Sequence, residues 1–135
     1  MKKVFVVLGI FSLTFCFTSF VKSNEIKSST MDKINSHVFL NKTIKQYCQG
    51  KRNVNVKTKD DSIKIDCLTD NYAFSFDYAE NWDGAVGKSL YYGLISDKKP
   101  AIALILESPN DKDFVQIVKN LPPEIHVVEI KKYKE

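Results

Sequence analysis

The sequence predicts an α/β domain built around one mixed sheet, with its elements in the order αβββαβ followed by αβ. Three observations predict it. Short segments with alternating apolar residues follow one another between polar turns, the pattern of a strand meander. A continuous apolar run at residues 101–106, opened by Pro100, suits a strand covered on both faces. Helical periodicity precedes the meander, separates it from the apolar run, and follows that run.

The first helix starts near Val38. Leu40, Ile44, Tyr47 and Cys48 fall at i, i+4, i+7 and i+8, one helix face, and the helix is expected to end near Gly50. Val54 and Val56 then alternate with Asn55 and Lys57. A polar turn at residues 59–62 leads to Ile63, Ile65 and Cys67, which alternate again. Residues 69–71 make the next turn, and Tyr72 to Tyr78 form the third strand. A helix over residues 80–95 offers Trp82, Val86, Leu90, Tyr91 and Leu94 to a core, although Gly84, Gly87 and Gly93 weaken it by up to ~1 kcal/mol each. Residues 111–120 form a last helix with Phe114, Ile117, Val118 and Leu121 facing inward. Pro122 and Pro123 break it, and residues 125–130 are the final strand.

The chain of 135 residues, 44% hydrophobic and 27% charged, has room for one domain and is not a disordered composition. Residues 1–23 read as a secretory signal: Lys2 and Lys3, an apolar stretch from Val4 to Phe20, then Val21 and Ser23 at the −3 and −1 positions of a cleavage site. The stretch is interrupted by Gly9, Ser12, Thr14, Thr18 and Ser19 and is short for a membrane span. An uncleaved anchor is the alternative. Phe15 precedes Cys16 where a lipoprotein signal has a small residue, which excludes that reading. The signal holds Lys2, Lys3 and Lys22 and no acid, so without it the formal charge falls from +4 to +1. Residues 24–36 are polar and aperiodic, a flexible lead to a single domain at residues 37–135. The expected location is exported, periplasmic or secreted, with no stable membrane insertion after cleavage of the signal.

Export leaves Cys48 and Cys67, an even pair in an oxidising compartment, for which a disulfide is the default and two buried thiols the alternative. With Asp70 and Asn71 at the tip of the second turn, Cys67 lies opposite Phe74, Asp66 opposite Ser75 and Lys64 opposite Asp77. One hairpin face then carries Ile63, Ile65, Cys67, Phe74, Phe76 and Tyr78, a core face that also points Cys67 toward the first helix. The other carries Lys64, Asp66, Ser75 and Asp77.

Five carboxylates, Asp66, Asp70, Asp77, Glu80 and Asp83, lie between Ile65 and Gly87 with no Lys or Arg among them. Oxygen-rich, cation-poor clusters suit Mg²⁺ or Mn²⁺. The structural alternative pairs Asp77 with Lys64, spends Asp70 on the turn, and places Glu80 and Asp83 at a helix N-terminus. His37 and His126 have no ligand-like spacing, two cysteines do not make a zinc site, and there is no glycine-rich phosphate loop.

Cys48, the string Ile65-Asp66-Cys67-Leu68-Thr69-Asp70, the string Ser75-Phe76-Asp77-Tyr78-Ala79, Trp82, and Gly87-Lys88-Ser89-Leu90-Tyr91-Tyr92-Gly93 together resemble a group of small bacterial uncharacterised proteins related to the PD-(D/E)XK, or restriction-endonuclease-like, superfamily. The likeness runs from about Ile44 to Ile130. It implies a restriction-endonuclease-like core, acids on two adjacent strands holding Mg²⁺ or Mn²⁺, and a lysine assisting the attacking water. Carried over by position, Asp66 and Asp77 are the metal-binding pair. Ser75 stands where the pattern has a second acid, Asn81 where it has lysine, and Lys88 where it has glutamine. Asn81, Lys88 and Tyr92 share one helix face, so Lys88 replaces the missing lysine in this reading and Asp77 serves as second acid; the alternative is that Lys88 is a solvated helix lysine. Asn81, Tyr92 and Glu107 are supporting candidates.

Two functions follow as expectations. One is an exported, divalent-metal-dependent phosphodiesterase acting on nucleic acid with a degenerate site. The other is a catalytically silent, disulfide-stabilised secreted module that binds an extracytoplasmic protein. The near-neutral charge and the single arginine, Arg52, argue against tight duplex binding. A basic run at Lys42, Lys45, Lys51, Arg52, Lys57 and Lys59 is the remaining attraction for anions, and a solvated helix and turn is the plainer account of it.

Overall fold

The computed structural model describes residues 11–134, and side chains from residue 29 onward. Two compact units emerge, Met1–Phe39 and Leu40–Glu135. The helix α1 (Phe11–Tyr47) begins in the first and ends in the second. Residues 24–36, expected as a flexible lead, are therefore helical. Their polar composition hides it, but residues 11–47 contain neither Gly nor Pro, so nothing in the backbone interrupts the helix. Of the expected signal at residues 1–23, residues 1–10 lie outside the described residues. No helix among the described residues is long and apolar enough to cross a membrane.

The second unit is a mixed α+β fold on a five-stranded sheet in the order β1-β2-β3-β4-β5. The strands are β1 (Lys51–Lys57), β2 (Ser62–Leu68), β3 (Tyr72–Tyr78), β4 (Lys99–Leu106) and β5 (His126–Lys131). β1, β2 and β3 meander antiparallel, while β4 runs parallel to both β3 and β5. The parallel connections carry α2 (Trp82–Ser96) and α3 (Lys112–Lys119), as crossovers between parallel strands require. The apolar run behaves as its composition predicts: residues 101–106 are buried at every position, at the centre of the parallel half.

Beside its turn the second hairpin adopts the expected register, with Cys67 opposite Phe74 and Leu68 opposite Ala73. The ladder does not extend to the expected Asp66–Ser75 and Lys64–Asp77 pairs: the Asp66 side chain takes the Phe76 amide there, and Ile65 and Ile63 pack with Ala73 and Tyr92 under α2 instead of sharing the face of Phe74 and Phe76. Thr69 closes the turn twice, its amide donating to the Tyr72 carbonyl at 2.9 Å and its Oγ1 accepting from the Tyr72 amide at 2.9 Å. Cys48 and Cys67 form a disulfide with Cα atoms 5.7 Å apart, tying the end of α1 to the buried side of β2. Gly50 sits between them in sequence for a steric reason. A Cβ there would meet the Leu68 carbonyl oxygen at 2.2 Å, so only glycine lets the chain pass β2 this closely. Glycine at 50 is thus not the helix terminator; α1 stops at Tyr47.

In α2, Trp82, Val86 and Leu90 pack against the core as expected, while Tyr91 and Leu94 do not. Ala85, Ser89, Tyr92 and Gly93 are buried, whereas Tyr91 and Leu94 are 43% and 79% exposed. Small residues on the inner face let the helix lie close to the sheet, and a Cβ at Gly93 would meet the Lys98 carbonyl oxygen at 2.9 Å. In α3, Val115 and Val118 are fully buried and Phe114 packs partly, while Ile117 is 42% exposed rather than inward. Together Ala79, Ala85, Ile102, Leu104, Leu106, Val115, Val118 and Ile125 form the core beneath the two helices.

The disulfide closes a loop whose ends are 19 residues apart. In the chain-entropy picture that closure stabilises the fold by roughly 3 kcal/mol. Replacing both cysteines by serine is expected to lower the free energy of unfolding in urea by about that amount. A double variant as stable as the parent would show that the bridge restrains nothing.

Candidate functional site

Side chains alternate along β3, so Ala73, Ser75 and Asp77 point to one face and Tyr72, Phe74, Phe76 and Tyr78 to the other. Expected to be a polar face, the first of these is instead covered by α2. Ala73 and Ser75 are fully buried, and Asp77 keeps 14% side-chain exposure. Beneath α2 the structure assembles Asp66, Asp77, Lys88, Asn81 and Tyr92, the group that the sequence places on one hairpin face and one helix face.

Asp77 is the hub. Its Oδ1 accepts the Tyr78 amide at 2.9 Å and the Asn81 Nδ2 at 3.1 Å. Its Oδ2 accepts from the Lys88 Nζ at 3.0 Å. The partner of Asp77 is thus Lys88, one α2 turn beyond Gly84, and not the cross-strand Lys64. Asn81, the last residue of a 3₁₀ turn at Ala79–Asn81, reaches back four positions to hold the same carboxylate.

Asp66 is attached differently. Its Oδ2 accepts the Phe76 amide at 3.0 Å, so the side chain, rather than a β2 carbonyl, satisfies that β3 donor. Burial pushes the Asp66 carboxyl above the usual carboxylate range; the Phe76 hydrogen bond and the charge of Lys88 work against the rise, and the Asp77 charge adds to it. Tyr92, 7% exposed, is pushed up to about 12, first by burial and then by the charges of Asp66 and Asp77. Its phenol therefore stays protonated throughout the ordinary pH range.

Ser75 lies in the same face, fully buried, with no hydrogen-bond partner for its Oγ among the described residues. Glu107 does not join the group. It follows the last residue of β4 and pairs with Lys132, whose ammonium also lies 5.2 Å from the centre of the Tyr78 ring.

The donor set is a poor match for a resident Mg²⁺ or Mn²⁺. Hard divalent ions are held by several charged oxygens. Here both oxygens of Asp77 are already engaged, one of them by an ammonium. Asp66 is biased toward its neutral form, and Ser75 supplies no charge. No group of three or more His, Cys, Asp or Glu gathers among the described residues. The arrangement is a carboxylate pair with its own internal cation.

One group of residues has no forewarning in the sequence. On the opposite sheet face His126 stacks on Tyr72 with ring centres 4.7 Å apart, and Phe74 meets His126 edge-on at 6.0 Å. The aromatic at every second position of β3 was a visible signal; the contribution of His126 from the far strand was not. Compared with family models, curated proteins and solved structures, the chain matches none.

The Asp66 environment has a consequence for stability. Its folded-state proton affinity exceeds that of the unfolded chain, so ionising Asp66 costs the folded state as pH rises from about 4 through the raised native value. Asp66→Asn keeps an oxygen for the Phe76 amide and removes that ionisation. Relative to the parent, the variant is expected to gain stability as pH rises through this window and to hold the gain at pH 7. Urea unfolding at a series of pH values checks it; parallel curves for the two proteins would contradict the burial argument.

Proposed function

We propose that the chain is an exported, disulfide-stabilised domain of restriction-endonuclease-like fold that binds an extracytoplasmic protein and no longer cleaves nucleic acid. What supports the fold reading is the αβββαβ order together with an antiparallel β1-β2-β3 meander continued by parallel β4. The observation that carries the functional reading is the Lys88 ammonium 3.0 Å from Asp77 Oδ2. It supplies beside the carboxylate pair the positive charge that a divalent ion supplies in an active relative, and it brings no Lewis acidity and no activated water. The Cys48–Cys67 bridge accords with an oxidising compartment. Exposed Tyr91 and Leu94 on the outer side of α2 give a protein partner apolar surface to cover.

The residues of the site retain structural work in this reading. Asp77 organises the start of α2 by holding the Tyr78 amide and Asn81. Asp66 completes the hydrogen bonding of β3 where the β2 ladder lapses. Tyr92 fills the space between them and keeps its proton.

The convergence of Asp66, Asp77 and Lys88 favours a second reading, a metal-dependent phosphodiesterase. Incubating the oxidised protein with single- and double-stranded DNA and RNA, with Mg²⁺ or Mn²⁺, separates the two. Cleavage is expected to be no faster than that of Asp66→Ala prepared in parallel. Metal-dependent cutting by the parent that disappears in Asp66→Ala would replace the first reading by the second.

A further inference from the structure

The sheet face opposite α2 carries a groove of about 800 Å³, a volume typical of small-ligand sites. Its floor comes from three neighbouring strands. The parallel register sets Phe76 beside Ala103 and Ala103 beside Val128, and all three line the groove. Alanine on the central strand leaves a depression between larger neighbours.

Along this floor runs a row of rings. Phe76 lies 6.1 Å from Phe74, Phe74 lies 5.9 Å from Tyr72, and Tyr72 stacks on His126 at 4.7 Å with 28° between the planes. Tyr72 and Phe74 are only half-buried and His126 is exposed, so the row presents ring surface to whatever enters. Aromatic surface left open to water in a concave site is a stacking platform for another ring.

Charge on the rim selects the sign of the ligand. Lys51 and Lys98 line the groove against one acid, Asp70. The Lys98 ammonium is held by the Asp70 backbone carbonyl at 2.6 Å, which fixes a cation at the mouth without neutralising it. Lys51 belongs to the basic run that the carboxylate site leaves unused, and Arg52 follows it in β1.

We propose that this groove binds a planar aromatic ligand carrying an anionic group, its ring stacked on the Tyr72–Phe74–His126 row and its anion at Lys98 and Lys51. Two sources share that chemistry, a nucleoside monophosphate and an aromatic carboxylic acid. The site stands whether or not the carboxylate pair on the other face turns over.

Ligand-observed saturation-transfer NMR on the full chain tests it, with adenosine monophosphate, indole-3-acetate, adenosine and inorganic phosphate as probes. At least one of the two aromatic anions is expected to bind, and the tighter one identifies the source. Adenosine is expected to bind at least tenfold more weakly than its monophosphate, and phosphate alone to give no thermal shift. His126→Ala and Lys98→Gln are each expected to weaken the bound anion about tenfold or more, while Lys112→Gln, remote in sequence from every lining residue, leaves it unchanged. Absence of binding by both anions would overturn the proposal. So would equal binding of adenosine and its monophosphate with no binding of indole-3-acetate, or affinities that neither His126→Ala nor Lys98→Gln alters.

Discussion

The third strand must satisfy two environments at once, and most of the molecule follows from how it does so. β3 pairs antiparallel with β2 on one edge and parallel with β4 on the other, which puts it inside the sheet, with one face under α2 and the other carrying the half-buried Tyr72 and Phe74. Strict alternation then assigns Tyr72, Phe74, Phe76 and Tyr78 to one side and Ala73, Ser75 and Asp77 to the other. The small and polar side admits α2 close to the backbone through Ala85, Ser89 and Gly93. The aromatic side, met by alanine at 103 on the next strand, leaves a groove instead of a filled layer.

Placing Asp77 under a helix creates an electrostatic problem that the neighbours resolve. A carboxylate with 14% side-chain exposure needs partners, since an unpaired charge in such a place is strongly destabilising. The Tyr78 amide, Asn81 and Lys88 supply them. Asp66, a strand away, has only the Phe76 amide and more distant charges, and its affinity for a proton rises accordingly. The two acids therefore sit in unlike surroundings: one is paired with an ammonium, while burial raises the proton affinity of the other. Such a pair is well suited to holding strand and helix together and ill suited to collecting a divalent ion.

Much of this was legible in the residues. The element order, the buried run of β4, the register at Thr69 and Tyr72, and the Cys48–Cys67 pair all follow from alternation, turn chemistry and compartment. So does the shared helix face of Asn81, Lys88 and Tyr92, because seven- and four-residue spacings fall on one side of a helix; that this face meets Asp66 and Asp77 was implied by the resemblance alone. The inward facing of Trp82, Val86 and Leu90 was legible, but not the exposure of Tyr91 and Leu94, because hydrophobic size favours burying them whereas close packing favours the smaller Ala85, Ser89 and Gly93. The helix across residues 24–36 lacks an apolar stripe to announce it. The groove depends on residues from α1, β1, β2, β3, β4 and β5 meeting across the sheet, a relation that local pattern does not carry.

Lys88, in this reading, closes the carboxylate pair against divalent cations. Titrating the ¹⁵N-labelled protein with Mn²⁺ and following amide broadening reads this directly, because the Phe76 and Tyr78 amides donate to Asp66 and Asp77 themselves. The account predicts that these two signals broaden no earlier than those beside exposed surface acids such as Asp60 and Glu124. Selective loss of the Phe76 and Tyr78 signals at Mn²⁺ concentrations that leave the surface acids untouched would contradict it, and would mean that the pair is an open metal site.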